Sequence, residues 1–576
     1  MFGFDGEVTI VDTEYFQAPG ERLIPYHLGA IELRSSKVHR LSWDALREQR
    51  HPPYPISARD LVVAFQATAE MSFHHAMGWS DPVNLIDVKV EFQNLTNGRH
   101  RPFGNSLLGA CAYFGLPVIA TAEKEAGRAL TQKPREQLTA DEWRHLSDYC
   151  HSDVQATINL LRRIEPYINI QLALLRGRYM AAVAHIENAG IPLNTLLLDK
   201  IRANWTAIRG RVIQKIDRRY GVFEHDSFRT ARWEQWLQQN NIPWPKLDSG
   251  NLALDGDTFK QQALTYPIVA PMYELRQTLG QLHLNELAVG KDGRNRTQLW
   301  PFAARTGRNQ PSNSKFIFGP ARWIRRLIMA PPGHAVAYID FEQQEFGIAA
   351  ALSGDAAMLE AYRSGDPYLA FAKQAGAAPP NATKDTHDAI REQFKECALG
   401  TLYSMGPATL AQRTGLTIPY AEELLTKHHS TYPKYWRWSD RALDYATLHG
   451  HLYTTFGWTL WTRSDSKPAS LRNFPMQANG SEMLRLACCL ALERGAKVIA
   501  PIHDALLVEA PASQMEEAVA KTKAAMAEAS RIILRDLELR TEVKTFQHPQ
   551  LFSDKKKGLV MWRTVRQILR ELEGEG

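Results

Sequence analysis

No apolar run in the chain is long enough to cross a bilayer as a helix, so no membrane partner is expected. Cysteine is scarce: five occur in 576 residues, Cys111, Cys150, Cys397, Cys488 and Cys489, with no Cys-x-x-Cys spacing among them. Reduced thiols and a cytoplasmic setting follow as the expectation. The first residues, Met1 to Glu7, are acidic and too poor in apolar side chains to serve as a signal peptide. Fixed-period repeats and low-complexity tracts are also missing, which excludes solenoid and disordered classes. What remains is a globular chain with 44% hydrophobic and 23% charged residues, long enough for about four domains. Its net charge of +6 and pI near 8.9 lean mildly towards a polyanionic partner.

The stretch that organises the rest runs from Pro331 to Asp355. A Pro-Gly turn leads into the apolar run Ala335 to Ile339, which reads as a buried strand, and the Ala- and Gln-rich segment behind it reads as a helix closed by Gly354. Asp340 therefore stands at the strand's end, exposed yet held by rigid backbone, as suits a metal ligand. A lone Asp in such a place more often caps the next helix. A second carboxylate changes the balance: from Val498 two apolar runs are broken by His503-Asp504, which reads as a hairpin with the polar pair at its turn. If that hairpin lies beside the strand of Asp340, two anions converge and require a cation between them, most economically two Mg2+ bridged by the pair. That is the geometry of two-metal phosphoryl transfer. Between these segments, Arg391, Lys395, Leu399 and Tyr403 follow at steps of four along a predicted helix. Two cations, an apolar contact and a ring in that order suit a nucleoside triphosphate lying along the helix. A solvated amphipathic helix whose Glu392 and Glu396 pair with its own cations is the alternative.

Near the amino terminus Asp12-Thr-Glu14 places two carboxylates on one side of a strand. Leu61 to Phe65 reads as another strand leading into Gln66 to Glu70, Asp87 follows a further apolar run, and Tyr149 and Asp153 share one face of a predicted helix. From Leu172 to about Leu287 the periodicity is mostly helical. Arg305, Arg308, Arg322, Arg325 and Arg326 crowd the approach to Asp340, where phosphodiester contacts explain them better than solvation. Gly480 to Arg494 reads as a helix ended by Gly495, and Lys555 to Lys557 is a short charge run.

These segments resemble the family A DNA polymerases. Asp340 to Gly347 is similar to the family's first palm motif, Arg391 to Tyr403 to its fingers helix, and His503-Asp504 to its third motif. Thr306-Gly307-Arg308 and Asn473 to Gln477 are similar to segments that touch the primer-template. The resemblance implies that Asp340 and Asp504 bind metal, that Arg391 and Lys395 act on the triphosphate, and that Gln343, Glu345, Leu399, Tyr403, His503, Arg308, Asn473 and Gln477 contact substrate, Glu345 as a steric gate against the 2'-hydroxyl. Departures from the pattern are Leu399 for an aromatic ring, Ser404 and Gly347 for a Gly and an Arg, Ala505 for a Glu, and Tyr368 for a His. The amino-terminal set resembles the family's 3'-5' exonuclease, which implies metal binding by Asp12, Glu14, Glu70 and Asp153, with Tyr149 orienting the attacking water. Glu70 replaces the usual central Asp, and Asp87 is the substitute candidate.

The implied architecture is α/β and multidomain: an RNase H-like exonuclease domain over 1–166, a helical thumb over 167–300, a palm with an antiparallel sheet over 301–354 and 451–576, and helical fingers over 355–450. Implied partners are primer-template DNA and dNTPs, with a processivity factor left open and a monomer expected. Two Mg2+ are expected at each site, with Mn2+ as a substitute. Because the chain opens on the exonuclease strand, no separate 5' nuclease is expected. A single-subunit RNA polymerase shares the palm but is opposed by Glu345 and the exonuclease set; a nuclease or DNA-binding protein on an inactive scaffold is opposed by the retained acids.

Overall fold

Two sheets, one near each end of the chain, anchor the structure. The computed structural model describes residues 2–117, 121–281, 284–319, 321–553 and 558–574; Lys555, Lys556 and Lys557 lie outside them. The first sheet has five strands in the order Val38–Ser42, Ile24–Glu32, Val8–Phe16, Leu61–Ala64, Leu85–Asp87. Its first three strands pair antiparallel and the last two run parallel to Val8–Phe16. Both faces are covered, so Leu61–Ala64 is apolar throughout and Val8–Phe16 is buried at each of its first four residues. Val8 and Ile10 pack with Val154, Ile158 and Leu161 of the helix Ala140–Ile164, while Val11 points into the opposite core with Met71. Period-two alternation then turns Asp12 and Glu14 towards that same long helix.

The second sheet is wholly antiparallel, in the order Lys497–Ile502, Ala505–Pro511, His334–Phe341, Thr541–Gln547. Along its central strand Ala335, Ala337, Ile339 and Phe341 are buried, whereas Tyr338 and Asp340 are only half-buried. Helices Pro468–Glu493 and Met515–Ile533 pack on each other and on this sheet. The helix Gln344–Ser353 follows the central strand and stops at Gly354, whose φ of +62° is a left-handed cap. Asp355 then caps two helices at once, accepting from Ala357 and Met358 and from the amides of Lys434 and Tyr435. Six helices between Ala356 and His449 form a layer of their own.

One element exceeds the sequence expectation. The helix predicted from Gly480 begins at Pro468 and runs through Pro475. Pro468 stands in its first turn, where a missing N–H costs nothing, and the side chain of Asn479 donates to the Pro475 carbonyl at 2.7 Å. Asn473 and Gln477 are thereby carried on a rigid helix.

The sheet unit at the amino terminus is bonded to the rest through buried polar groups. Arg176, on the helix Ile170–Ala189, grips Glu91 at 2.6 and 2.7 Å and also donates to the Phe456 carbonyl. Asn97 donates to the carbonyls of Arg305 and Thr459 at 2.7 and 2.8 Å, and Asn94 accepts from the Thr459 amide at 2.7 Å.

Candidate active sites

Asp340 is the seventh of eight residues in its strand, paired across to Ala505 on one side and Glu542 on the other. The hairpin beside it turns through two residues, His503 and Asp504, with His503 in the left-handed region at φ +57°. That turn sets the Asp504 carboxyl against that of Asp340. Burial raises the Asp504 pKa above the ordinary carboxylate range, and two carboxylates held so close repel unless a proton or a cation lies between them. A divalent cation replaces that proton with advantage, and two hard oxygen donors are what Mg2+ prefers, so the pair fits the expected metal. Burial also keeps the His503 imidazole below its ordinary pKa, with Arg325, Arg308 and Arg322 acting in the same direction. Arg308 has a buried Nε without a protein partner, and it lines a cleft of ≈ 700 Å³ together with Arg485 and His503.

Glu345 accepts from the Tyr403 hydroxyl and from the Gln477 amide, and Gln477 also donates to Tyr403 at 3.0 Å. Three segments far apart in the chain thus meet in one polar triangle. Tyr403 caps the helix Asp388–Leu402, and burial followed by the Glu345 contact raises its phenol pKa. Gln343 is strained into the left-handed region at φ +47° and accepts from Arg540 at 3.0 Å. Asn473 has a buried amide oxygen without a partner. Leu399 packs against the core from a half-buried position. The two cations of this helix are engaged locally: Arg391 with Asp366 and Glu392, and Lys395 with Glu392 at 2.7 Å. Glu396 pairs with Arg413 rather than with its own helix. A triphosphate would have to take Arg391 and Lys395 from these carboxylates.

The glycine that stands in place of an arginine has a packing cause. A Cβ on Gly347 would lie 2.5 Å from Leu539 Cδ2 and 3.1 Å from Tyr362 Cε2. The guanidinium of Arg540 reaches the same turn from another strand end, bonding the carbonyl of Tyr362 at 2.6 Å and Glu342 at 3.2 Å.

At the first sheet, Asp12, Glu14, Glu70 and Asp153 are brought together. Asp12 and Glu14 present ligand atoms within 4.8 Å of one another and of Cys150. Burial, then the charge of Asp153, raises the Asp12 pKa to about 8; burial lifts Glu14 and Glu70 well above the carboxylate range, with Asp12 adding to each. Asp12 Oδ2 and Glu70 Oε2 are buried without partners. Acidic oxygens that are buried, crowded and unpartnered fit a hard divalent cation. Tyr149 lies one turn from Asp153 on the long helix, and burial raises its phenol pKa, with Asp153, Glu14 and Asp12 adding. Asp87 does a different job. It accepts from the amides of Ala67, Val90 and Gln66 at 2.7, 3.1 and 3.3 Å, capping the helix Val88–Thr96.

Two residues of these sites carried no sequence signal. Lys124, buried on the helix Thr121–Leu130, holds both oxygens of Asp153 at 3.0 and 3.1 Å. Arg540 lies outside any motif. Neither belongs to a spacing pattern, and only the folded chain brings them in.

A profile described as DNA polymerase family A matches residues 249–548, and the chain belongs to that family. Among individual proteins it is similar to the thermostable DNA polymerase I of Thermus thermophilus, 29% identical over 406 residues that cover 64% of this chain and 48% of the relative. It is also similar to the DNA polymerase of Mycobacterium phage D29, 31% identical over 219 residues, 37% of this chain and 35% of that one. The chain thus spans about a third to a half of the length of the curated relatives it matches. In fold it matches the POL domain of Pol1 from M. smegmatis, described as a complex with DNA primer-template and dNTP, with a TM-score of 0.73 over 94% of this chain and 96% of that one at 16% identity. No described helix is long and apolar enough to cross a membrane, and all five cysteines are buried and free.

Proposed function

We propose that the chain is a DNA-directed DNA polymerase that extends a primer on its template with dNTPs, and that its amino-terminal sheet unit is a 3'-5' exonuclease of RNase H-like build. The observation that carries the polymerase reading is the contact between Asp340 and Asp504 at the end of an antiparallel sheet. Family membership and the likeness to a primer-template complex support it. On this reading the antiparallel sheet is the palm, over 301–354 and 451–576, the helical layer over 355–450 the fingers, and the helices over 167–300 the thumb.

Asp340 and Asp504 would hold the metal at the polymerase site, and Asp12, Glu14, Glu70 and Asp153 at the exonuclease site. Two Mg2+, when bound, lower the pKa of the attacking hydroxyl or water and offset charge on the transferred phosphate. Around them, Arg391 and Lys395 leave Glu392 and bind the triphosphate oxygens, and Glu345, fixed by Tyr403 and Gln477, fills the room a 2'-hydroxyl needs. Arg308, with its unpartnered Nε beside the cleft, contacts the primer-template, as do Asn473 and Gln477. Tyr149 orients water at the other site.

A labelled primer-template with Mg2+ tests the assignment. Lengthening with dNTPs and shortening without them are expected. Asp340→Asn should abolish the first by at least about 100-fold and spare the second, because it removes a charge at one site only. Preference for rNTPs would point to an RNA polymerase, and shortening under all conditions to a nuclease.

A further inference from the structure

Apart from the carboxylates described above, His75, Asp81 and His185 form a second cluster of metal-ligating side chains. His75 lies on the helix Thr68–Met77, Asp81 in the turn beyond it, and His185 on the helix Ile170–Ala189 that packs against the first. His75 Nε2 is 2.9 Å from Asp81 Oδ1 and His185 Nε2 is 2.8 Å from Oδ2; the two imidazoles lie 3.9 Å apart. All three ligand atoms fall within 4.8 Å of one another.

We propose that His75 Nε2, His185 Nε2 and the Asp81 carboxylate bind one Zn2+-like transition-metal ion that clasps the amino-terminal sheet unit to the helix Ile170–Ala189. Tetrahedral zinc with N and O ligands holds its donor atoms about 3.3 Å apart, so the present contacts need to open by only about half an ångström. Two imidazoles with one carboxylate favour zinc, cobalt or nickel over Mg2+, which selects this site against the all-oxygen ones. With neutral imidazoles the cluster carries the single negative charge of Asp81, an attraction for a dication. Beside it a cavity of ≈ 650 Å³, lined by Asp81, His185, Arg178 and Glu493, leaves room for water as a further ligand. His75 is 8% exposed at its side chain, Asp81 23% and His185 49%, so the ion has a path in from one side. The Nδ1 of His75 is buried with no protein partner. Lacking that outer hydrogen bond, the site should bind about 10- to 100-fold more weakly than one that has it.

The test uses the full chain stripped with EDTA and titrated with Co2+, in Mg2+-free buffer. One equivalent should develop the intense visible absorption of a four- or five-coordinate histidine site, and Zn2+ should displace it. His185→Gln and, separately, His75→Gln place an amide nitrogen near the lost Nε2, able to donate to Asp81, and should fold, yet each should weaken the Co2+ signal at least about 10-fold, as loss of a direct ligand costs no less than loss of an outer one. Zn2+ should raise the Tm of the wild type and not that of either variant. The exonuclease carboxylates also attract cations, so Asp12→Asn is measured in parallel and should leave the cobalt spectrum in place. A histidine-independent spectrum, or equal Co2+ affinity in wild type and both variants, overturns the proposal.

Discussion

Acidification should loosen the helical layer beside Arg391 and Lys395 through one buried imidazole. His428 is fully buried, and its hydrogen bonds fix a neutral tautomer. Trp436 Nε1 donates to His428 Nδ1 at 3.2 Å, so Nδ1 carries no proton; Nε2 then donates to Thr401 Oγ1 at 3.2 Å, and that hydroxyl donates to the Ala398 carbonyl at 2.8 Å. A second ring proton would point at the indole N–H. Burial above all, with His429 adding, lowers the His428 pKa to about 3. An unfolded His titrates near 6.5, so below that pH the unfolded chain takes up a proton the folded one refuses. Stability is therefore complete above about pH 6.5 and is lost as pH falls towards about 3. Integrating the linkage, this group alone costs about 2 kcal/mol between pH 7.5 and pH 5. For a cooperative unit of 150–250 residues that is a Tm drop of about 4–8 °C. The assay is a pair of melts at the two pH values for wild type and His428→Gln, whose amide can donate and accept but not titrate. The variant loses packing at both pH values, while its drop between them should be smaller than that of the wild type by about 2 kcal/mol, other titrating groups cancelling in the difference. Equal drops would refute the reasoning.

Three further outcomes follow from the sites. Glu345→Ala should raise the ratio of rNTP to dNTP incorporation at least about 10-fold on one template, since a packed site admits an extra oxygen only when the side chain filling it is removed; an unchanged ratio would mean that the triangle with Tyr403 and Gln477 is structural. Gly347→Ala should destabilise by about 1–3 kcal/mol through its close contact with Leu539, and in denaturant unfolding it should cost less in a Leu539→Ala background than in the wild type. Glu70→Ala should stop degradation of a primer without shifting Tm downwards, whereas Asp87→Ala should lower Tm through the lost cap, about 1–2 kcal/mol, and leave cleavage by the folded enzyme; the reverse pattern would exchange their roles.

Elements whose signal is local were legible in the sequence. The strand before Asp340, the hairpin at His503-Asp504 and the helix closed by Gly354 each carry their own turn chemistry, and the structure has all three. Pro475 misleads for the same reason: proline marks a break locally, whereas the helix runs through it with the residues from Met476 to Cys489 buried on all sides. Charge partners were less legible. The sequence offered Glu392 and Glu396 equally as partners for the helix's own cations, and the fold uses Glu392 while turning Glu396 to Arg413. Lys124, Arg540 and the His75–Asp81–His185 cluster depend on chain segments meeting from a distance, which no spacing records.

The grip of Arg176 on Glu91, with Asn94 and Asn97 reaching into the strands beyond, has a bearing on how the molecule can be divided. Cutting after residue 166 would leave the guanidinium of Arg176 facing an empty socket, and the free carbonyls of Arg305 and Thr459 without their amide donors. Stranded polar groups of this kind each cost about 1–3 kcal/mol unless water reaches them. The two parts are therefore poor modules: removing residues 1–166 would be felt as lost rigidity in the remainder, and point substitutions are the cleaner way to test the two proposed sites separately.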